Sequence, residues 1–297
     1  MKKTRSAAAV LMCCIALSLF TSCSKGNNMK KTVPVQYAGL RSSTYGVDPF
    51  PTVEEWDGYA QHMQDGFEGS TGCYVWIVGY VEGNSATKQC VLNFPIDTKI
   101  ENVTDFPVDM NKDFLEMASE KGYAVWLQVE PGDADLVELA SAVMRHYKNY
   151  KCVKGFGIDV EWYHPYGTDG YGVPLTDEMA ENVDKAIKKV NRKYTCFVKH
   201  WDADWLPPTY RSDMIFVNDS QYHETVKTMR GEFDKWAKHF APNTVMYQIG
   251  YPSDKRIWGK FDQPEYELGA YLAEGAAEDQ NVGIIWVDFS LRDVMDK

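Results

Sequence analysis

The sequence lacks several patterns that would each indicate a class of function. Its longest apolar run, residues 7–20, falls short of the roughly 20 residues that a transmembrane helix needs. It contains no GxGxxG or Walker pattern, which argues against a nucleotide-binding loop. It also has no HExxH or EF-hand string and no CxxC or Cys/His ligand spacing, so we expect no metal and no cofactor.

Positive charge is also scarce. The chain has 31 Lys and Arg against 42 Asp and Glu, a net charge of −11, which argues against nucleic acid as a partner. Aromatic residues are plentiful by comparison, with nine Trp and eighteen Tyr. The hydrophobic fraction of 44% and the length of 297 residues fit one globular α/β barrel.

The first residues have the pattern of an export signal. Basic Lys2, Lys3 and Arg5 precede the apolar run, and residues 19–23 (LFTSC) resemble a bacterial lipobox. We expect residues 1–22 to be a lipoprotein signal peptide, Cys23 the lipidated residue, residues 23–31 a tether and residues 32–297 the folded domain. An ordinary secretory signal is the alternative. The expected location is the outer membrane, on its periplasmic face or at the cell surface. The lipid is the expected membrane contact of a monomeric protein.

Four cysteines lie within the expected domain. An oxidising compartment permits disulfides, and Cys152 and Cys196 each lie near the start of a predicted strand. They could therefore pair if those strands are neighbours. The sequence leaves open whether Cys152–Cys196 or Cys73–Cys90 is bonded.

The domain alternates between strand and helix patterns. Eight short apolar runs predict strands, at 33–38, 73–81, 123–129, 152–160, 195–199, 214–218, 244–249 and 282–288. Helical patterns separate most of them, at 52–66, 111–121, 134–149, 176–193, 223–240 and 264–279. This order predicts a single (β/α)8 TIM-type barrel, with a doubly wound open sheet as the main alternative. The link 201–213 is short and proline-rich, which predicts a degenerate helix between the fifth and sixth strands.

Polar and aromatic residues collect where the predicted strands end. The C-terminal strand ends of a TIM barrel hold its active site, and amide, carboxylate and aromatic side chains suit a sugar. We therefore expect an oligosaccharide partner, with Lys199 in a salt bridge to a neighbouring acid. The candidate site residues are Gln128, Glu130, Asp159, Glu161, His200, Trp201, Asp219, Gln221, Gln248, Tyr251, Trp286 and Asp288.

The sharpest local pattern is the fourth predicted strand, whose end reads KGFGIDVEW over residues 154–162. Side chains alternate along a strand, so Gly157, Asp159 and Glu161 are predicted to face one way. Phe156, Ile158 and Val160 then face the helices. Two acids pointing into a barrel repel each other and lose hydration, which raises a pKa and suits a general acid.

These residues resemble glycoside hydrolase family 18, whose fourth barrel strand carries DxxDxDxE. Asp159 and Glu161 match the last Asp and the Glu, whereas Lys154 and Gly157 stand at the two earlier Asp positions. The resemblance implies that Glu161 protonates the glycosidic oxygen. It implies that Asp159 orients the substrate's 2-acetamido group, which attacks the anomeric carbon. Trp286 resembles the family's Trp at the floor of the sugar subsite.

The seventh predicted strand bears on the mechanism. Many retaining barrel glycosidases place a second Glu there, but residues 245–251 (VMYQIGY) contain no carboxylate. A substrate-assisted route needs only one enzymic acid and a positioning group. An inverting route needs a base farther away, and Glu130, Asp219 and Asp288 are candidates.

The sequence therefore predicts a glycoside hydrolase of N-acetylhexosamine-containing glycans. Glu161 is the predicted general acid/base, and Asp159 positions the acetamido group. Gln248, Tyr251 and Trp286 are predicted to line the cleavage subsite. The alternative is a non-catalytic surface glycan-binding lipoprotein on a decayed glycosidase barrel, which the half-present motif motivates. A lysozyme-like muramidase is a third possibility.

Overall fold

The computed structural model of the chain describes residues 35–84, 87–165 and 172–296. These belong to one compact unit, Thr32–Lys297. The expected signal peptide, the tether and Cys23 lie outside the described residues. No helix within the described ranges is both long enough and apolar enough to span a membrane.

Parallel strands form a closed barrel. Eight neighbouring parallel strands close on themselves because the first strand pairs with both the second and the last. The barrel strands are β1 (Val35–Ser42), β2 (Thr71–Gly83), β5 (Ala124–Val129), β6 (Val153–Asp159), β7 (Thr195–Lys199), β8 (Ile215–Asn218), β9 (Val245–Ile249) and β10 (Val282–Val287). All eight coincide with predicted strands, so the predicted TIM-type barrel is confirmed.

Two further strands escaped sequence analysis. β3 (Lys88–Leu92) folds back antiparallel on the end of β2, and β4 (Val103–Asp105) pairs with β3. Together they extend the sheet beyond the barrel wall. Each is short, and no regular apolar alternation sets either apart from loop sequence.

Helices follow most of the barrel strands. They are α1 (Val53–Gly66), α2 (Lys112–Lys121), α3 (Leu136–His146), α4 (Asp177–Val190), α5 (Val226–Phe240), α6 (Lys255–Trp258), α7 (Pro264–Ala273) and α8 (Leu291–Met295). Thr52 and Glu55 form the predicted capping box of α1, and Thr176 caps α4. A single 3-10 turn, Ala203–Trp205, replaces a helix between β7 and β8, as the proline-rich link predicts.

Alternation along the strands produces two apolar layers. One lies between barrel and helices and includes Phe156, Ile158 and Val160 of the β6 region. The other fills the barrel interior with the residues Cys73, Val75, Ala124, Trp126, Phe197, Ile215, Val217, Met246 and Ile285. A layer of polar side chains lies above this interior layer, at the C-terminal end of the barrel.

The four described cysteines are buried free thiols. The suggested pairings Cys152–Cys196 and Cys73–Cys90 are therefore wrong. Cys152 and Cys196 lie in the helix-facing layer, whereas Cys73 faces the barrel interior and Cys90 does not. Opposite faces of the sheet separate the second pair.

Candidate functional site

Strand β6 alternates as predicted up to Asp159, its last residue, and Glu161 lies beyond the strand. Phe156 and Ile158 pack toward the helices, whereas Gly157 lies inside the barrel against the ring of Phe197. Asp159 ends the strand at 1% exposure, and Glu161 follows in a 3-10 turn, half-buried. The two carboxylates share one environment at the barrel mouth, since the charge of Asp159 acts on Glu161.

Lys199 joins two of the acids at this mouth. It ends β7 in register with Asp159, and its Nζ lies 2.9 Å from Asp159 Oδ2. The same Nζ lies 2.5 Å from Asp219 Oδ2, beyond the end of β8. The predicted salt bridge of Lys199 is therefore confirmed, with two acids instead of one.

Amide and phenol groups continue this polar layer. Gln128 Nε2, on β5, donates to Asp159 Oδ2 over 3.1 Å. On β9, Gln248 donates through Nε2 to the hydroxyl of Tyr251, whose environment includes the charges of Asp219 and Lys199. We call these side chains the mouth cluster: Gln128, Asp159, Glu161, Lys199, Asp219, Gln248 and Tyr251.

Four buried oxygens of the mouth cluster have no hydrogen-bond partner among the described residues. All four are acceptors on side chains that are at most 3% exposed: Gln128 Oε1, Asp159 Oδ1, Asp219 Oδ1 and Gln248 Oε1. Leaving one buried polar atom unsatisfied costs about 1–3 kcal/mol. Four such acceptors at one end of a barrel need donors from water or from a ligand.

The carboxyl groups of Asp159 and Glu161 have pKa values above those of ordinary carboxyl groups. Burial raises the pKa of Glu161 to about 8, and the negative charge of Asp159 adds to the effect. Burial also raises the pKa of Asp159 to about 7, although the ammonium of Lys199 opposes the rise. At neutral pH Glu161 therefore holds a proton that it can donate.

Two other predicted acids are fully engaged by neighbouring residues. Glu130 accepts from the Tyr45 hydroxyl and, over 2.9 Å, from the backbone N–H of Val81. Asp288 pairs with Arg41 Nη1 at 3.0 Å and accepts two hydrogen bonds from Ser43. Arg41 also donates to Tyr45, so these residues form one network along the rim beside the mouth cluster. Both acids therefore stabilise the rim.

The Arg41–Asp288 pair provides a stability prediction. Both side chains are almost completely buried, so Asp288→Asn leaves the guanidinium charge uncompensated. We expect the free energy of unfolding at pH 7 to fall by about 3 kcal/mol, measured by urea denaturation. The exposed pair Lys255–Asp293, at 2.8 Å, is the matched control, and Asp293→Asn should leave stability nearly unchanged. Equal losses for the two variants would contradict a structural role for Asp288.

The position of the missing motif acid is filled by an aromatic ring. Gly157 is in register with Phe197 of β7, and a Cβ at Gly157 would overlap Phe197 Cζ. No side chain fits there without displacing the ring. The barrel therefore has no room for a second carboxyl group directly below Asp159.

Trp286 requires a correction. The predicted sugar platform is 0% exposed and belongs to the layer between barrel and helices, where it packs against Trp258. Its Nε1 donates to Ser290 Oγ over 3.1 Å. Strand alternation explains the error, because Ile285 faces the interior and its neighbour Trp286 must face outward.

Three other candidates lie around the site. His200 is buried, with its ring stacked on Trp201 at 4.0 Å, and its Nδ1 accepts from the backbone N–H of Asp202. Trp201 also lines a surface cavity against α5. Gln221 is exposed and accepts from Ser253 Oγ over 3.1 Å.

A second cavity opens beside the rim. It measures about 200 Å³ and is mostly apolar, with Phe50 and Phe106 exposed at its edge. Ser43, which binds Asp288, forms part of its wall.

Sequence reasoning missed some of the residues that shape this site. Arg41 and Tyr45 follow from no motif, although alternation along β1 could have placed Arg41 at the barrel interior. No motif singles out Phe197. Within the described ranges, no group of three or more His, Cys, Asp or Glu is arranged to hold a metal ion.

Comparison with known proteins gives limited information. No protein-family model and no curated protein sequence matches the chain. Among solved structures, it is similar to a "putative alpha-L-fucosidase" from Bacteroides thetaiotaomicron, at 14% identity and a TM-score of 0.44 over 92% of each chain. It is also similar to a protein named "Glycoside hydrolase", at 12% identity and a TM-score of 0.45, over 87% of this chain and 62% of the other. At these values neither similarity informs the activity of the chain.

Proposed function

We propose that this protein is a glycoside hydrolase of β-linked, N-acetylhexosamine-containing glycans. The observation that carries the proposal is the pairing of Asp159 and Glu161 among four buried acceptor oxygens that lack partners within the described part of the chain. Sugar hydroxyls and an acetamido N–H are donors of the required kind. The C-terminal mouth of a TIM barrel is also where such chemistry occurs.

Asp159 is suited to orient an acetamido group. Its Oδ2 is held by Lys199 and Gln128, so the carboxylate has a fixed orientation. Its Oδ1 has no partner among the described residues and can accept a hydrogen bond from the acetamido N–H. The acetamido carbonyl oxygen would then attack the anomeric carbon, with the substrate itself supplying the nucleophile.

Glu161 is suited to proton transfer. Its raised pKa keeps the carboxyl group protonated at neutral pH, and it makes no hydrogen bond with the described residues. It can donate this proton to the glycosidic oxygen as the bond breaks. As a carboxylate it then removes a proton from the water that opens the cyclised intermediate.

Asp219 supports a second mechanism. Of the three candidate bases for an inverting route, Glu130 and Asp288 are engaged through both carboxylate oxygens. Asp219 keeps Oδ1 without a partner among the described residues. If hydrolysis inverts the anomeric centre, the base is Asp219 and the acid remains Glu161.

A substrate panel tests the proposal. Aryl β-glycosides of N-acetylglucosamine and of its β-1,4-linked disaccharide would be compared with the matched glucosides, which lack the acetamido group. We expect kcat/KM for the acetamido substrates to be at least 100-fold higher than for the matched glucosides. The product should keep the anomeric configuration of the substrate, as measured by NMR. An inverted product would instead indicate the inverting mechanism with Asp219 as the base. In that case Asp219→Asn would abolish activity.

Binding without turnover across the panel would contradict the hydrolase. Together with equal affinity of Glu161→Gln, it would indicate a surface glycan-binding protein. Digestion of peptidoglycan in preference to other glycans would indicate a muramidase. Lipidation of Cys23, export to the outer membrane and a monomeric state remain parts of the proposal that rest on the sequence alone.

A further inference from the structure

A buried lysine occupies the centre of the mouth cluster. Lys199 is 2% exposed, and its Nζ contacts Asp159 Oδ2 at 2.9 Å and Asp219 Oδ2 at 2.5 Å. Burying an ammonium is costly unless opposite charges compensate it closely. Lys199 lies at the end of the barrel beside the four buried oxygens that have no partner among the described residues. This position places its charge next to the proposed substrate site.

The space below Asp159 explains why a cation is needed there. The ring of Phe197 fills the position beside Gly157, so no carboxylic acid at position 157 can share a proton with Asp159. The negative charge of Asp159 must be balanced from another direction. Lys199, two residues beyond Phe197 on the same strand and in register with Asp159, provides that balance.

We infer that Lys199 is the positioning residue of this site. Its ammonium favours the ionised form of Asp159 and binds Oδ2, which leaves Oδ1 to orient the ligand. This inference rests on the proposed function and assigns a residue that the family resemblance does not supply. Lys199 acts through Asp159 and is not itself an acid or base in the reaction.

The groups that face Lys199 come from several elements. They are Asp159 of β6, Glu161 of the following turn, Asp219 beyond β8 and Tyr251 beyond β9. Burial alone would lower the pKa of Lys199, but these neighbours raise it well above the ordinary value, so the ammonium stays charged. In return, Lys199 lowers the pKa of Asp159 and of Glu161 below what burial would give.

Lys199→Met tests this role because methionine keeps most of the length of the lysine side chain and removes its charge. We expect kcat on the aryl β-N-acetylglucosaminide to fall at least 100-fold. The alkaline limb of the pH profile should move upward by more than one unit, because Glu161 loses the cation that lowers its pKa. Carboxyl 13C NMR without substrate should show higher pKa values for both Asp159 and Glu161.

Lys188→Met is the matched control. Lys188 also joins two aspartates, Asp184 at 2.8 Å and Asp213, but on the outer side of the barrel. It should leave kcat and the pH profile unchanged. If Lys199→Met does not fold, Lys199→Met/Asp219→Asn removes one charge of each sign and should fold. That double variant should show a smaller rise in the pKa of Glu161, and its kcat should be lower than that of Asp219→Asn alone.

The inference fails if Lys199→Met or the double variant keeps wild-type kcat, or if the pKa values of both acids stay unchanged. If wild-type protein cleaves no glycoside of the panel, the proposed function fails. The NMR titration still decides whether Lys199 controls the ionisation of Asp159.

Discussion

Replacing Glu161 by glutamine is expected to lower kcat on acetamido substrates by about 10³-fold, while the fold is kept. General acid catalysis contributes about 10²–10⁴-fold, and an amide of the same shape cannot supply the proton. The loss would be measured with the aryl β-N-acetylglucosaminides between pH 7 and pH 8, where Asp159 is ionised and Glu161 protonated, with circular dichroism as the check on folding. Binding of the intact sugar should persist, since Glu161 makes no contact that holds the mouth cluster together.

The pH dependence should follow the same carboxyl group. In wild-type protein, the acid works while protonated, so kcat should fall as pH rises through about 8. Stability should move in the same direction. A carboxyl group with a raised pKa in the folded state binds more protons there than in the unfolded chain. Stability is therefore greatest below the unfolded pKa and decreases until pH reaches about 8. Glu161→Gln removes this penalty and should melt higher than wild type at pH 9 but not at pH 4.

Glu82→Gln is the matched control for both measurements. Glu82 also lies near the C-terminal end of a barrel strand, β2, but its side chain is exposed. It should change neither kcat nor the pH dependence of melting. If Glu161→Gln keeps more than a tenth of the wild-type kcat, then Glu161 is not the general acid.

Gly157→Ala is expected to be strongly destabilising. The new methyl group would overlap Phe197 Cζ, inside the closed barrel where neighbouring strands cannot separate. Overpacking of a tight core costs about 1–3 kcal/mol and more where nothing can move. We expect a loss of about 3 kcal/mol in the free energy of unfolding, measured by urea denaturation.

The same clash makes a counterintuitive prediction about the family motif. Gly157→Asp restores a motif carboxylate in the sequence, yet it should unfold the protein instead of raising activity. Replacing the ring with a smaller side chain in Phe197→Leu/Gly157→Ala should recover part of the stability, because the two positions share one space.

Gly58→Ala is the control for the glycine substitution. Gly58 lies within α1, and a Cβ added there would have no atom within 4 Å, so alanine should stabilise this helix slightly. Wild-type stability in Gly157→Ala would show that Phe197 moves freely, and would leave the absence of the motif acid without a steric explanation.

Much of the scaffold could be predicted because its signals are local. The eight barrel strands are continuous apolar runs, and caps such as Thr52 and Thr176 determine where helices begin. The direction of Asp159 also followed from alternation along β6. The β3–β4 extension gave no such signal, and the polarity of Lys88 and Gln89 resembles that of a loop.

The candidate site was harder to predict because its contacts join distant parts of the chain. Trp286 resembled a sugar platform by type and strand position, but the interior orientation of Ile285 turns it toward the helices. Glu130 and Asp288 resembled free acids, yet Tyr45 and Arg41 engage them across the rim. Such pairings depend on which strands become neighbours.

The sequence by itself determined the barrel and the pair of acids at the end of β6. Strand period, helix caps and alternation act over a few residues, so they can be read before folding. Only the tertiary structure decided the charge balance of the site. Lys199 reaches Asp159 and Asp219, and Phe197 closes the space beside Gly157, because β6, β7 and β8 lie side by side. Electrostatic and steric contacts depend on distance in space, and the order of residues alone does not give that distance.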